Sequence, residues 1–353
     1  MEIQKNILLS EYTTIGLGGP AAYFIDFTDT ENVKEIIEYV NENKMNFIVF
    51  SGGSNIIFPD RGFDGLVLKI NNKGVKTHDD GNYFYAEVNA GENWDEFVRY
   101  IIESGYSGIE CLSGIPGSAG ATPVQNVGAY GQEVKDTIMN VTALDRRTLE
   151  EITFDNNECG FGYRTSRFKE RDKDKYIIVK VLFRFEKNKQ PEIKYSELQK
   201  VIDSQDNYYS LTSIKEKIKS IRDNVLKLRE KKSMLINPDD TNSRSCGSFF
   251  TNPVLNESEY DRFKVLIKDL NVPVYKTGDE YKLSAAWLVE NSGFVKGFKK
   301  GGVGISSKHS LALININGTT DELLAFSSEI EETVEKKFGI KLKKEPVVVS
   351  ENS

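Results

Sequence analysis

The sequence predicts an α+β fold in which a two-part module is followed by a smaller α/β domain. Three observations predict it. Strand-period and helix-period runs alternate over residues 1–210 with no internal repeat, glycine-rich loops occupy two separate stretches, and the composition shifts near Ser213 to a long amphipathic helix. A chain of 353 residues exceeds one ordinary domain and buries a core without disulfide or metal staples.

The first unit spans 1–70. Ala22-Tyr23-Phe24-Ile25-Asp26-Phe27 reads as a strand, and 30–43 as a helix with Val33, Ile36, Ile37 and Val40 on one face. Asn46-Phe47-Ile48-Val49-Phe50 is a buried strand that runs into Ser51-Gly52-Gly53-Ser54-Asn55, and the turn at Pro59-Asp60-Arg61-Gly62 leads the unit to its close at Ile70. In the second unit, 71–212, an alternating strand at 83–88 precedes a helix opened by Asn93 and Glu96 in capping-box spacing and stopped by Gly105. A glycine-rich stretch at 114–131 and a β-type run at 177–183 follow.

The third unit, 213–340, opens with Ser213 and Glu216 spaced as a capping box. Ile214, Ile218, Ile221, Val225 and Leu228 then form a stripe that is too short for a coiled coil and reads as a packing face. Beyond a polar loop at 237–242 come helices at 259–270, 285–291 and 321–338, the last stopped by Gly339. The C-terminal segment 341–353 is expected to join the first unit.

Composition removes several function classes. Lys+Arg total 46 against 53 Asp+Glu, a net charge of −7 that repels polyanions and argues against a nucleic-acid binder. Cys111, Cys159 and Cys246 are widely spaced without a CxxC pair, as in a reducing cytosol, and no metal site is expected. The two histidines, His78 and His309, leave chemistry to hydroxyls, cations, carboxylates or a cofactor. No leader and no run long enough to span a bilayer is read, so the expectation is a cytoplasmic protein with no membrane partner.

Gly16-Leu17-Gly18-Gly19-Pro20-Ala21 fits a dinucleotide fingerprint only formally, because a strand follows it where that motif needs a helix. It reads as a turn between strands. Ser51-Gly52-Gly53-Ser54-Asn55 has the composition of a backbone phosphate nest, or equally of a plain turn. The second loop contains Gly114, Ile115, Pro116, Gly117, Ser118, Gly120, Ala121, Thr122, Gln125, Asn126, Gly128, Ala129, Tyr130 and Gly131, with almost no charge. Such a chain approaches a bulky ligand closely and turns many amides toward it. Two such loops on separate units imply one extended ligand lying across both, the shape of a dinucleotide.

Taken singly, the remaining candidates are bland. Arg164 reads as a salt-bridging surface residue, Arg229 and Lys232 as cations suited to a helix C-terminus, Cys246 as a small buried residue and Glu345 as an exposed carboxylate. Ser248 lacks the GxSxG elbow of a serine hydrolase.

In order along the chain, however, Thr13-Thr14-Ile15-Gly16-Leu17-Gly18-Gly19, Gly52-Gly53-Ser54-Asn55, Gly114-Ile115-Pro116-Gly117 with Gln125-Asn126-Val127-Gly128-Ala129-Tyr130-Gly131, Phe161-Gly162-Tyr163-Arg164, Gly247-Ser248-Phe249-Phe250-Thr251-Asn252-Pro253 and Ser306-Ser307-Lys308-His309 carry a resemblance. The chain resembles the UDP-N-acetylenolpyruvoylglucosamine reductases, flavoenzymes also called UDP-N-acetylmuramate dehydrogenases, over nearly its whole length.

The resemblance implies a two-part FAD-binding module of the vanillyl-alcohol-oxidase type in the first two units and a substrate domain in the third. It implies FAD held by Ser51, Gly52, Gly53, Ser54 and Asn55 along its adenine-diphosphate part and by the second loop near the flavin. NADPH would be the hydride donor, and Arg164, Ser248 and Glu345 the catalytic residues. Tyr195, Arg229, Lys232, Asn252 and Asn291 would contact the UDP-N-acetylglucosamine enolpyruvate, Tyr195 marking the subtype with a tyrosine on a substrate loop. A monomer without nucleic-acid partners is implied. Two departures stand out: the link from Lys232 to the serine motif is longer than the family's, and Pro346 follows Glu345 where a valine is usual. A different oxidoreductase on the same flavin architecture would not need the Gly247-Ser248-Phe249-Phe250 motif, and a non-enzymatic nucleotide-sugar binder would not need the second glycine-rich loop.

Overall fold

The computed structural model describes residues 3–205, 208–267 and 272–350. Its first sheet has the strand order Gln4–Leu8, Pro20–Phe27, Phe63–Ile70, Phe47–Phe50, the first pair antiparallel and the others parallel. The parallel strands read as apolar runs because both of their faces are covered. Helix Thr30–Glu42 sets Val33, Ile36, Ile37 and Val40 among Ile25, Phe27, Leu66 and Leu68 on one face, while Phe24, Phe50, Phe58, Phe63 and Val67 fill the other.

The second sheet is antiparallel, ordered Glu151–Asp155, Ile138–Asp145, Tyr176–Glu186, Tyr83–Asn89, Val75–Asp79. Helix Trp94–Glu103 packs Trp94, Phe97, Val98, Ile101 and Ile102 into its core. The Asn93 side chain accepts from Glu96 N at 3.0 Å, and Gly105 ends the helix at φ +89, a backbone that a residue with a Cβ rarely adopts. Apolar residues of both sheets form one continuous cluster, so the two sheets share a core and present a fixed seam between them.

Helix Ile214–Lys231 packs Ile221, Val225 and Leu228 against Cys111, Leu198, Ile202 and Tyr208. Arg222 also forks onto Asp95, with both bonds at 2.7 Å. The helix therefore rests on residues of the 71–212 stretch. Ser213 is its N-cap residue but makes no side-chain capping bond, so the box expected from its spacing with Glu216 does not form. Tertiary burial of the stripe holds the helix without it.

Farther on, helix Thr320–Phe338 is bracketed by a complete Thr319/Glu322 capping box and by Gly339 in the left-handed conformation. Its Leu323, Phe326, Ile330, Val334 and Phe338 share a core with Leu288 and Val289 of helix Ala285–Asn291 and Phe263 of helix Glu257–Ile267. The predicted end of that last helix at Leu270 lies outside the described residues. The chain then returns: Val347–Val348 pairs in parallel with Ile56–Ile57, and Val349 enters the outer face of the first sheet. No helix among the described residues is long and apolar enough to cross a membrane.

Candidate active site

A cleft of about 1290 Å³ runs along the seam between the sheets and on toward the third unit. Its floor is the contact between the two glycine-rich loops. A Cβ on Gly52 would stand 2.5 Å from the Gly117 Cα, so only glycine permits the approach. Ser51 Oγ donates to Ser118 Oγ at 2.5 Å, Ser54 Oγ to the Pro116 carbonyl at 3.1 Å, and Asn55 Nδ2 to Gln125 Oε1 at 2.9 Å. The second loop is pinned to the helix and sheet behind it by Trp94 N to Gly117 O at 3.1 Å and Gly120 N to Ala90 O at 2.9 Å.

Among the described residues, the amides of Gly52, Gly53, Ser54 and Gly117 make no hydrogen bond within the protein. Glycine-lined walls with spare backbone donors suit the diphosphate of a dinucleotide such as FAD.

Not every residue of the loop motif faces that space. Gly114 is a packing glycine: at φ +71 its added Cβ would meet Leu235 and Leu226 at 2.6 and 2.8 Å. Asn126 is fully buried, donates to Glu133 Oε2 and the Gly162 carbonyl at 3.0 and 2.9 Å and accepts from Lys135 N at 3.2 Å. It braces the loop from behind. Neither is among the residues that line the cleft. Gly16, Gly18 and Gly19 are absent from its walls too and form the turn into Pro20–Phe27.

Arg164, Glu345 and Ser248 all line the cleft. Arg164 sits in a tight turn at φ +55, where Gly162 bridges Thr165, and its Nη2 donates to the Gly128 carbonyl at 2.6 Å. Its Nε lies 3.4 Å from Glu345 Oε1. Glu345 arrives on the returning C-terminal segment, its amide donating to the Phe249 carbonyl at 2.8 Å, with Thr251 N on the Lys343 carbonyl at 3.0 Å. The segment thereby pairs Glu345 with Phe249, the residue after Ser248. Burial pushes the Glu345 carboxyl up from its ordinary range, although Arg164, Lys169 and the Gln125 Nε2 bond at 3.2 Å pull the other way.

Ser248 Oγ lies 3.2 Å from His309 Nε2. Burial, reinforced by Lys232, Lys296 and Arg229, lowers the His309 imidazole to about 4 and leaves it neutral near pH 7. Sequence reasoning assigned no role to His309, although its Ser306-Ser307-Lys308-His309 run was a signal. It also missed Lys169, whose Nζ donates to Gln125 Oε1 at 3.2 Å, and Lys282, which stands 4.1 Å over the Tyr163 ring; no pattern marked either.

Toward the third unit, the buried Arg229 donates from Nη2 to the Met234 carbonyl at 2.8 Å, and its Nε has no partner among the described residues. Lys232 Nζ pairs with Glu197 Oε2 at 2.5 Å and lies 5.9 Å from the Tyr130 ring centre. Tyr195, half-exposed, meets Tyr130 edge-on at 5.4 Å. The link after Lys232 supplies Ser233, Met234, Leu235 and Ile236 to the wall, and Arg229 and Lys232 line the cleft with them. Asn252 lines the cleft as well, its amide donating to Tyr163 OH at 3.3 Å. Asn291 is not among the lining residues; its Nδ2 donates at 2.8 Å to Trp287 O on its own helix.

Comparisons with known proteins agree with this geometry. A family model for FAD binding domains matches residues 21–148, and one for the UDP-N-acetylenolpyruvoylglucosamine reductase C-terminal domain matches 238–349. The sequence is similar to the UDP-N-acetylenolpyruvoylglucosamine reductase of Thermobifida fusca, 42% identical over 98% of this chain and 97% of that one. It is 36% identical to the reductase of that name from Flavobacterium johnsoniae, over 99% and 100% of the two chains. The fold is similar to the crystal structure of the Thermus caldophilus UDP-N-acetylenolpyruvylglucosamine reductase, with a TM-score of 0.65 over 99% of this chain and 100% of that one at 22% identity.

Proposed function

The chain belongs to the UDP-N-acetylenolpyruvoylglucosamine reductase family, and from that premise we propose that its cleft converts the enolpyruvyl ether of UDP-N-acetylglucosamine to UDP-N-acetylmuramate, the FAD-dependent reduction of peptidoglycan precursor synthesis. The observation that carries the reading is the meeting of Arg164, Glu345 and Ser248 in a cleft whose floor offers free amides to a diphosphate.

Bound along the glycine-rich loops and reduced by NADPH, FAD would supply the hydride for the vinylic carbon of the substrate. The electron pair displaced onto the neighbouring carbon spreads into the substrate carboxylate, and the residues of the cleft act on that charge. Arg164 is a permanent cation fixed by Gly128 and Glu345. Glu345, favoured in its protonated form by burial, donates a hydrogen bond where the charge builds. Preorganised donors in a site that excludes water contribute about 3 kcal/mol apiece to such a step. Ser248 gives its hydroxyl proton to the carbon; serine is a weak acid, but a carbon-centred enolate is a strong base. Lys232 and Arg229 would hold the diphosphate, with Tyr195 and Asn252 lining the same cleft. This reading places a monomer in the cytoplasm, serving wall growth, cell shape and division.

The test is an anaerobic visible spectrum of the purified protein, taken alone, after one equivalent of NADPH and after the enolpyruvyl substrate. A flavin band that bleaches and then returns is the expected result. A band that bleaches and never returns would sink the substrate assignment, and no band after added FAD would sink the cofactor.

A further inference from the structure

Ser248 and His309 come from separate loops, yet their Oγ and Nε2 lie 3.2 Å apart at the wall of the cleft. The loop bearing the imidazole is well held. Ser307 N donates to Asn242 Oδ1 at 2.8 Å, Ser310 Oγ to Glu290 Oε1 at 2.6 Å, and Ala312 N to the His309 carbonyl at 3.1 Å. The charged groups around the ring are Lys232, Lys296 and Arg229, with Glu197 opposing them, and burial is the larger influence; together they keep the ring uncharged near pH 7.

A neutral imidazole beside a hydroxyl has two arrangements. If Nε2 is bare, it accepts the serine proton and turns it away from the substrate. If Nε2 carries the hydrogen, it donates to Oγ, leaves the serine proton free to point at the substrate and stabilises the oxygen as it becomes negative. We infer that His309 is a positioning residue for the proton donor, with its Nε2–H donating to Ser248 Oγ. The inference rests on the reading of Ser248 as that donor.

In the step, the Ser248 O–H bond breaks and a C–H bond forms at the carbon next to the one that received hydride. The O–H electron pair stays on Oγ as an alkoxide held by the His309 N–H. A proton from solvent water then restores the hydroxyl. His309 itself gains and loses none.

Because the chain has two histidines, long-range proton–nitrogen NMR of holoprotein labelled with ¹⁵N-histidine reads the ring directly, with His78→Gln as the assignment control. The expected spectrum is an Nε2–H tautomer, neutral at pH 7, whose nitrogen shifts move in Ser248→Ala. An Nδ1–H tautomer or an imidazolium at pH 7 would overturn the inference. In stopped-flow, photoreduced His309→Phe should reoxidise with substrate about ten- to a hundredfold more slowly, the range of one hydrogen bond to a charged oxygen. His309→Gln, which keeps a donor, should recover part of the rate, and the Ser248→Ala/His309→Phe double variant should be no slower than Ser248→Ala. A normal rate in His309→Phe, or slowing that multiplies in the double variant, defeats the role of His309 alone. A fast Ser248→Ala defeats the proton-donor reading beneath it as well.

Discussion

Glu345 Oε1 lies 3.4 Å from Arg164 Nε, one residue delivered by the C-terminal segment and the other by a left-handed turn in the second unit. The contact joins an obligate cation to a carboxyl that burial drives toward protonation. Glu345→Ala removes the carboxyl and the hydrogen bond it donates. It should slow reoxidation of reduced flavin by substrate about ten- to a hundredfold, the order expected for the loss of one oriented donor, and a full rate in stopped-flow would remove Glu345 from the chemistry.

The same carboxyl has a signature in stability. With its folded pKa above the ordinary value, its contribution is fully present below the ordinary carboxylate range and is lost as pH rises through the raised value. The stability of the wild type relative to Glu345→Gln, from urea unfolding, should therefore fall as pH rises from about 4 to about 8. A constant or rising difference would contradict the burial argument.

Gly52→Ala tests the floor of the cleft. The new methyl group would press on the Gly117 backbone, which has no side chain to rotate away. The loops should part enough to weaken FAD binding about tenfold or more, roughly 1.4 kcal/mol, with the far-UV circular dichroism of the protein retained. Unchanged FAD affinity by fluorescence titration would show that the loop contact is not what shapes the site.

Lys232→Gln should raise KM for the UDP-sugar about tenfold, within the range for one charge-assisted hydrogen bond, and leave kcat within about twofold, because uniform binding is lost without touching the reacting carbon. A fall in kcat with KM unchanged would place Lys232 in the chemical step.

The loop behind Lys232 carries its own pH dependence. Ser233 Oγ and both Asn242 nitrogens donate to Asp240, and these bonds hold its carboxyl down at about 2. A depressed folded pKa contributes stability that is present above the ordinary value and lost as pH falls through the folded one. Wild type should exceed Asp240→Asn in thermal stability at neutral pH, with the gap closing between about pH 4 and about pH 2. A gap that persists unchanged into acid would show that the Asp240 charge is not what orders the link.

Much of this protein is written in local pattern. The helix stripes at Val33 to Val40 and Ile214 to Leu228, the stops at Gly105 and Gly339 and the apolar strand before Ser51 follow from periodicity and from φ, which neighbouring residues and a missing Cβ dictate by themselves. The order of the motifs likewise identified the family, since each loop needs particular small or polar residues at short spacing. Local pattern did not show that Gly114 packs on Leu226 and Leu235 or that Asn126 bonds Glu133, because a motif marks residues that a loop requires without saying what they touch. Nor did it show that the Asn291 carboxamide bonds back to Trp287 on its own helix. Tertiary structure alone decided that Glu345 meets Arg164, that the Gly52 loop touches Gly117 and that a neutral His309 stands at Ser248. Those partners lie on different elements, and their meeting is set by how the sheets, helices and returning C-terminal strand bury their apolar faces together, a sum over the whole core that no short stretch of sequence encodes.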